Sequence, residues 1–408
     1  MNKREKLLAI SSAALFTFYF AYDVPGAINT SMKFKGKEAT ELQIALLYSF
    51  YAVPNVFTPF ILGKLLHNSK NSMIILLLSL ISTGQLLFII SLKKEIFKYA
   101  LLGRLLFGIG VESFVVFIDK ELIDHFIGRE LGFAMGTFNS VGRLGTVINF
   151  LISPFIAEKY SVIVIYNLSL IIVIVAVILC LYLMIIVDKN VEEEELNTPV
   201  ASDSPGNAFK TLLTISFLLG CVWAPFYNIA PLMLKKRFNI NKITAGRVLS
   251  CIEGASVFLQ SLIGAFIDYV GYKLYLILIS SILIGIAHFN FMTKMYDFHI
   301  SVALLTLAAP LLTCIWPCVP KLVQKSHLSK SLGLMMCVIN LAYAISPIIA
   351  SLFLYFDQSY FITELYSVFI CILLIFHVIK LNIQNNKLDL NLNEPEINLN
   401  SEKLRNII

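Results

Sequence analysis

Two ionisable residues stand in the middle of long apolar stretches, Glu112 in GRLLFGIGVESFVVF and Arg143 in GFAMGTFNSVGRLGTVINF. A charge at the centre of a lipid bilayer costs at least about 2.5–3.5 kcal/mol, so each must face the protein or a wet cavity. Opposite charges on neighbouring membrane spans could hold the two ends of a small zwitterion. The Arg143 guanidinium presents a planar fork that matches a carboxylate. Glu112 and Asp23 could receive an ammonium group or a cationic side chain, or one of them could carry a proton.

Other polar side chains recur at helical spacing. Asn139, Arg143 and Thr146 share one face of a fifth span, beside a ridge of Gly128, Gly132, Gly136 and Ser140 that lets a neighbouring helix come close. Tyr48, Tyr51 and Asn55 line one face of a second span, and Tyr22 precedes Asp23 in the first. Glu253, Ser256 and Gln260 align in an eighth span, where Glu253 would add a cation site or a proton carrier. Trp316, followed by Pro317 and Pro320, should bend a tenth span and could act as a gate, with freed carbonyls satisfied in a cavity.

The elements that must position these groups follow from composition. With 58% hydrophobic and only 14% charged residues over 408, and a mean hydropathy of +0.79, the chain is a polytopic membrane protein. Twelve apolar stretches long enough to cross a hydrocarbon core lie at about 7–31, 42–66, 73–92, 97–118, 131–156, 162–187, 209–234, 245–267, 274–292, 300–323, 332–355 and 361–379. The acidic, Pro- and Ser-containing stretch 188–207 reads as a cytoplasmic linker between two six-helix bundles, 1–187 and 208–381, with a disordered cytoplasmic tail over 382–408. The halves repeat at an offset of 201 residues: Gly63 falls on Gly264, Leu131-Gly132 on Leu332-Gly333, and Asn139 on Asn340. Two parallel six-helix repeats around a central cavity are a transporter architecture.

Composition and motifs also exclude classes. The seven cysteines all fall within expected spans, and no zinc cluster or disulfide framework emerges, so no metal or cofactor is expected. The net charge of +6 is scattered through short loops, which gives nucleic acid no surface. No phosphate-binding glycine loop, H-E-x-x-H or nucleophile elbow is present, and no enzyme is expected.

The loop GAFIDYVGYK, from Gly264 to Lys273, resembles the G-x-x-x-D-x-x-G-x-K signature of the major facilitator superfamily, and GRLLFGIG, from Gly103 to Gly110, resembles its fourth-helix motif. This resemblance implies an all-α, twelve-helix fold with gating by Gly63, Arg104, Asp268, Gly271 and Lys273, Arg104 being the buried base of the fourth-helix motif. In the first half the counterpart loop GKLLHNSKN has His67 where the acid should stand. A narrower resemblance, to the lysosomal dipeptide transporters, rests on YDVPGAI, LLYSFYAVPNV, GRLLFGIGVES, GRELGFAMGTFNSVGRLGTVIN and CIWPCV. It implies a uniporter of dipeptides or amino acids in the lysosomal or vacuolar membrane, assisted by a glycosylated accessory membrane protein. Two other readings stay open beside it: a proton-coupled symporter of another solute such as a sugar or nucleoside, and a non-transporting scaffold or receptor. The plasma membrane is the alternative location.

Overall fold

The structure, a computed structural model, describes residues 3–28, 32–39, 41–65, 70–126, 130–187, 206–240 and 242–397. Most of the expected linker, 188–205, and the last residues, 398–408, lie outside the described residues, as does His67.

Lipid offers no partner for a backbone N–H or C=O, so a chain this apolar must satisfy its backbone within helices. The helices are α1 (Lys3–Ala27), α2 (Glu41–Ala52), α3 (Thr58–Leu65), α4 (Lys70–Lys94), α5 (Phe97–Phe126), α6 (Leu131–Lys159) and α7 (Val162–Val187). They are followed by α8 (Asn207–Phe238), α9 (Lys242–Tyr269), α10 (Lys273–Thr293), α11 (Phe298–Leu311), α12 (Val319–Leu322), α13 (Leu328–Phe356) and α14 (Phe361–Lys387). Two-residue strands, β1 (Lys33–Phe34) and β2 (Lys37–Glu38), pair antiparallel after α1, and Phe34 packs edge-on against Phe97 at 5.1 Å. Among the described residues, eleven helical stretches are long and apolar enough to cross a membrane.

The remaining span, expected to run unbroken over 42–66, is interrupted between α2 and α3 by a 3-10 turn at Val53–Val56. Proline has no N–H to donate to the preceding turn, so the helix yields at Pro54. Asn55, fully buried, bridges the break: its amide donates to the Tyr51 carbonyl at 2.6 Å and accepts from the Thr58 hydroxyl at 2.9 Å. The expected bend in the tenth span appears as a 3-10 turn, Leu312–Cys318, between α11 and α12, with Pro317 inside it.

Two compact units form. The first comprises Met1–Lys120, Val141–Leu196 and Ser329–Ile348, and the second Glu121–Ser140, Asn197–Leu328 and Ile349–Ile408. Close packing explains the exchanged stretches. In the second unit a side chain at Gly132 would meet the Gly264 carbonyl at 2.6 Å, and one at Gly136 would meet that of Gln260 at 2.5 Å, so the small-residue ridge of α6 lies directly on α9. In the first unit Gly333 of α13 packs in the same manner on Pro59 of α3. The repeat is visible in hydrogen bonds as well: Asn139 donates to the Met135 carbonyl and Asn340 to that of Met336, each at 2.9 Å.

The segment after Leu381, expected to be disordered, is ordered through Ile397. α14 continues to Lys387, and the chain then turns back, with Leu392 fully buried. Its asparagines supply the bonds that an apolar core would otherwise replace, as where Asn385 accepts from the Leu392 N–H at 2.8 Å.

Candidate functional site

In the first unit, α1, α2 and α5 bring together most of the residues singled out for substrate binding. Tyr22 of α1 stands 4.5 Å from the Tyr51 ring and 5.4 Å from the Tyr48 ring, both on α2. These three rings surround Arg104 of α5, whose guanidinium carbon lies 4.9 Å from the Tyr22 centroid, 5.2 Å from that of Tyr51 and 5.3 Å from that of Tyr48. Phe107, one turn further along α5, adds a fourth face at 5.9 Å. Arg104, expected among gating residues by the fourth-helix motif, thus sits with the aromatic residues of the candidate site.

Glu112 lies eight residues beyond Arg104 on the same face of α5. Its carboxylate accepts a hydrogen bond from the Tyr51 hydroxyl at 2.8 Å and another from the Asn340 amide of α13. Asp23 accepts from the Thr146 hydroxyl at 2.6 Å, which ties α1 to α6. Arg143, half-buried on α6, and Glu112 both act electrostatically on the half-buried Tyr19 of α1. Asn55, in contrast, is engaged in the helix break at both ends of its amide.

The second unit holds the other expected site residues. Asn139 turns its amide back onto α6, Glu253 is half-buried on α9, and Trp316 is half-buried in the 3-10 turn after α11. The signature loop is built around Asp268 at the end of α9. Its two carboxylate oxygens accept from the N–H groups of Gly132 and Phe133, each at 2.8 Å, where α6 begins with unpaired donors and a positive dipole end. Gly271 follows with φ +88°, a left-handed conformation that a side chain would strain. Lys273 opens α10, fully buried, with its ammonium 2.9 Å from the Glu396 carboxylate and 3.1 Å from the Glu394 carbonyl. Gly63, the expected first-half counterpart, lies within α3.

Several participants were missed by the sequence reading. Tyr19 stands one turn before Tyr22, and Asn340 is the repeat mate of Asn139; both spacings were available in the sequence. Asn393 and Glu396 carried no such signal, because they belong to a polar segment without periodicity.

Apolar spanning helices in two repeated halves, with charges kept inside, define an integral multi-pass membrane protein of the transporter class. The chain belongs to the Major Facilitator Superfamily, whose family model matches residues 8–214 and 212–401. Among curated relatives, the lysosomal dipeptide transporter MFSD1 of Homo sapiens is 24% identical over 391 residues, covering 91% of this chain and 84% of the relative. Among solved structures, the human organic anion transporter MFSD10 superposes with a TM-score of 0.74 at 12% identity, covering 93% of this chain and 100% of that one. A bacterial homologue of the iron transporter ferroportin gives 0.73 at 14% identity, over 94% and 100%. At such identities these structures share the fold alone.

Proposed function

We propose that this transporter carries dipeptides or other small zwitterions as a facilitator, working by alternating access. In this reading Arg143 takes the carboxylate end of the solute, while Glu112 and Asp23 take the ammonium end. The single observation that carries it is that the Glu112 carboxylate, on a spanning helix, is held by the neutral hydroxyl of Tyr51 and the neutral amide of Asn340, with Arg143 on α6 of the same unit. Neutral donors orient a carboxylate without cancelling its charge, which leaves it able to bind a cation. The relatives, which are lysosomal dipeptide transporters, support this substrate class.

Tyr22, Tyr48 and Tyr51 supply the aromatic wall of the site. Asn139, Glu253 and Trp316 are the second unit's own candidate substrate contacts, and Asp268, Gly271 and Lys273, with Gly63, are the proposed gating residues. The proposed location is the lysosomal or vacuolar membrane, and the proposed partner is a glycosylated accessory membrane protein.

The test is uptake of labelled dipeptides, free amino acids and sugars into liposomes containing the purified chain, with and without a proton gradient. Native protein should move dipeptides independently of the gradient, and Arg143→Ala should lower uptake at least tenfold. Transport of sugars alone, strict dependence on the gradient, or an Arg143→Ala variant as active as native protein would overturn the proposal.

A further inference from the structure

The geometry points to Arg104 as a positioning residue that sets the Tyr51 hydroxyl on Glu112; this rests on the proposed role of Glu112 in binding the solute's ammonium group. Arg104 is 3% exposed; its Nε makes one long contact, to the Leu47 carbonyl at 3.4 Å, while one terminal nitrogen has no partner. The cation is instead held by ring faces. Guanidinium–ring attraction strengthens when the pair is desolvated, so four ring faces together offset much of the cost of burying the ion. In return the cation fixes the rings. Tyr51 has one face against Arg104 and its hydroxyl on the Glu112 carboxylate, so movement of the guanidinium would displace the donor that aims that carboxylate. The same motif supplies the seat: a side chain at Gly108 would meet the Tyr51 carbonyl at 2.5 Å and its ring at 2.9 Å. Arginine and glycine of GRLLFGIG therefore act on one tyrosine.

A double-mutant cycle in the liposome assay tests this. Tyr51→Phe keeps the ring for Arg104 and removes only the hydroxyl, whereas Arg104→Met keeps the hydroxyl and removes what fixes the ring. Each should raise the dipeptide KM about tenfold with little change in maximal rate, and the double variant should also show about tenfold. Arg104→Lys, which keeps a cation on the rings, should recover part of the loss and serves in the cycle if Arg104→Met does not fold. Multiplicative effects, near a hundredfold in the double variant, would overturn the inference, as would a fall in maximal rate alone. If Glu112→Gln transports dipeptides normally, the proposed function fails; if Glu112 matters and the cycle is multiplicative, only this inference fails.

A different observation carries a second inference: we infer that residues 388–397 form a latch on the signature loop. The Asn393 carbonyl accepts from the Tyr272 N–H at 2.8 Å, filling the space a side chain at Gly271 would need, and the Asn393 side chain accepts from the Leu274 N–H at 2.9 Å. Glu396 pairs with Lys273 at 2.9 Å and with Lys321 of α12 at 3.2 Å. The N–H groups of Glu396 and Ile397 both donate to the main-chain carbonyl of Asp268 at 3.0 Å, while the Asp268 side chain holds the start of α6. One aspartate thus joins tail, α9 and α6, so the tail braces the residue whose side chain fastens α6 to α9. In the full-length protein, Asn393→Ala with Glu396→Ala should raise the initial uptake rate about threefold or more at unchanged KM. An unchanged or reduced rate per folded molecule would overturn the latch and leave the segment a packing element.

Discussion

Glu112 and Arg104 of the first compact unit are held in different company from Lys273 and Glu364 of the second. In the first, Glu112 is bound by a hydroxyl and an amide, and Arg104 by aromatic faces. In the second, Lys273 meets the Glu396 carboxylate at 2.9 Å, and Glu364 of α14 meets the His288 imidazole of α10 at 2.7 Å, with both of those side chains almost fully buried. Neutral partners orient a charge and leave its field for something that comes and goes. Direct partners take up that field in fastening one segment to another, and removing one side is costly because the survivor is left buried without its partner. The difference separates groups suited to meet a solute from groups suited to hold the frame.

Substituting one carboxylate from each unit gives the sharpest test. Glu112→Gln should cut dipeptide uptake at low concentration about a hundredfold, equivalent to about 2.7 kcal/mol, and shift the midpoint of thermal unfolding in detergent by little. Glu364→Ala should do the reverse, lowering that midpoint by about 5 °C or more while uptake per folded molecule stays within twofold. Should Glu112→Gln mainly destabilise and Glu364→Ala mainly abolish transport, the division between the units is the opposite of that argued here.

How much of this was legible in the sequence differs by region for the same physical reasons. Lipid forces apolar spans, so α4, α7 and α10 are plain from composition, and Pro317 marks the break in the tenth span because proline cannot donate an N–H, whereas Pro54 acts by the same physics but was read as part of one span. The intramembrane charges Glu112 and Arg143 were legible because each is costly there. The company of Arg104 was not, since a ring of tyrosines from α1 and α2 closes around α5 only in three dimensions. Residues 388–397 were read wrongly because they have few apolar side chains; their order comes from asparagine bonds to specific backbone groups and from one buried leucine, Leu392.

A smaller effect is expected from Asp268, the exception in the second unit: it is fully buried and its partners are neutral N–H groups, but both of its oxygens are taken up by the start of α6, so it fastens helices. Asp268→Asn keeps an acceptor for one N–H and loses the charge that complements the dipole of α6, so it should cost about 1–2 kcal/mol. A thermal-unfolding midpoint lowered by a few degrees would agree with this. No change would mean that the aspartate is not fastening α6 to α9, and the second unit would lose one of its structural charges.

The weakest effect belongs to Asp357, in the turn before α14. Like Asp268 it accepts from two backbone N–H groups, those of Ser359 at 2.9 Å and Ile362 at 3.0 Å, but it does so in water. Hydrogen bonds from Ser359, followed by the N–H of Ile362, hold its pKa down to about 2. A carboxylate lowered in the folded state stabilises at every pH above its unfolded value, 3.8, and that contribution fades as pH falls through about 2. Asp357→Asn should therefore produce a small midpoint decrease that is equal at pH 7 and pH 5 and shrinks only below about 4. Equality at pH 7 and pH 5 would mean that this turn does not respond to mild acidification. A difference that already vanishes at pH 5 would show that the N–H pair does not hold the carboxylate ionised, and that comparing it with Asp268 as two versions of one cap is mistaken.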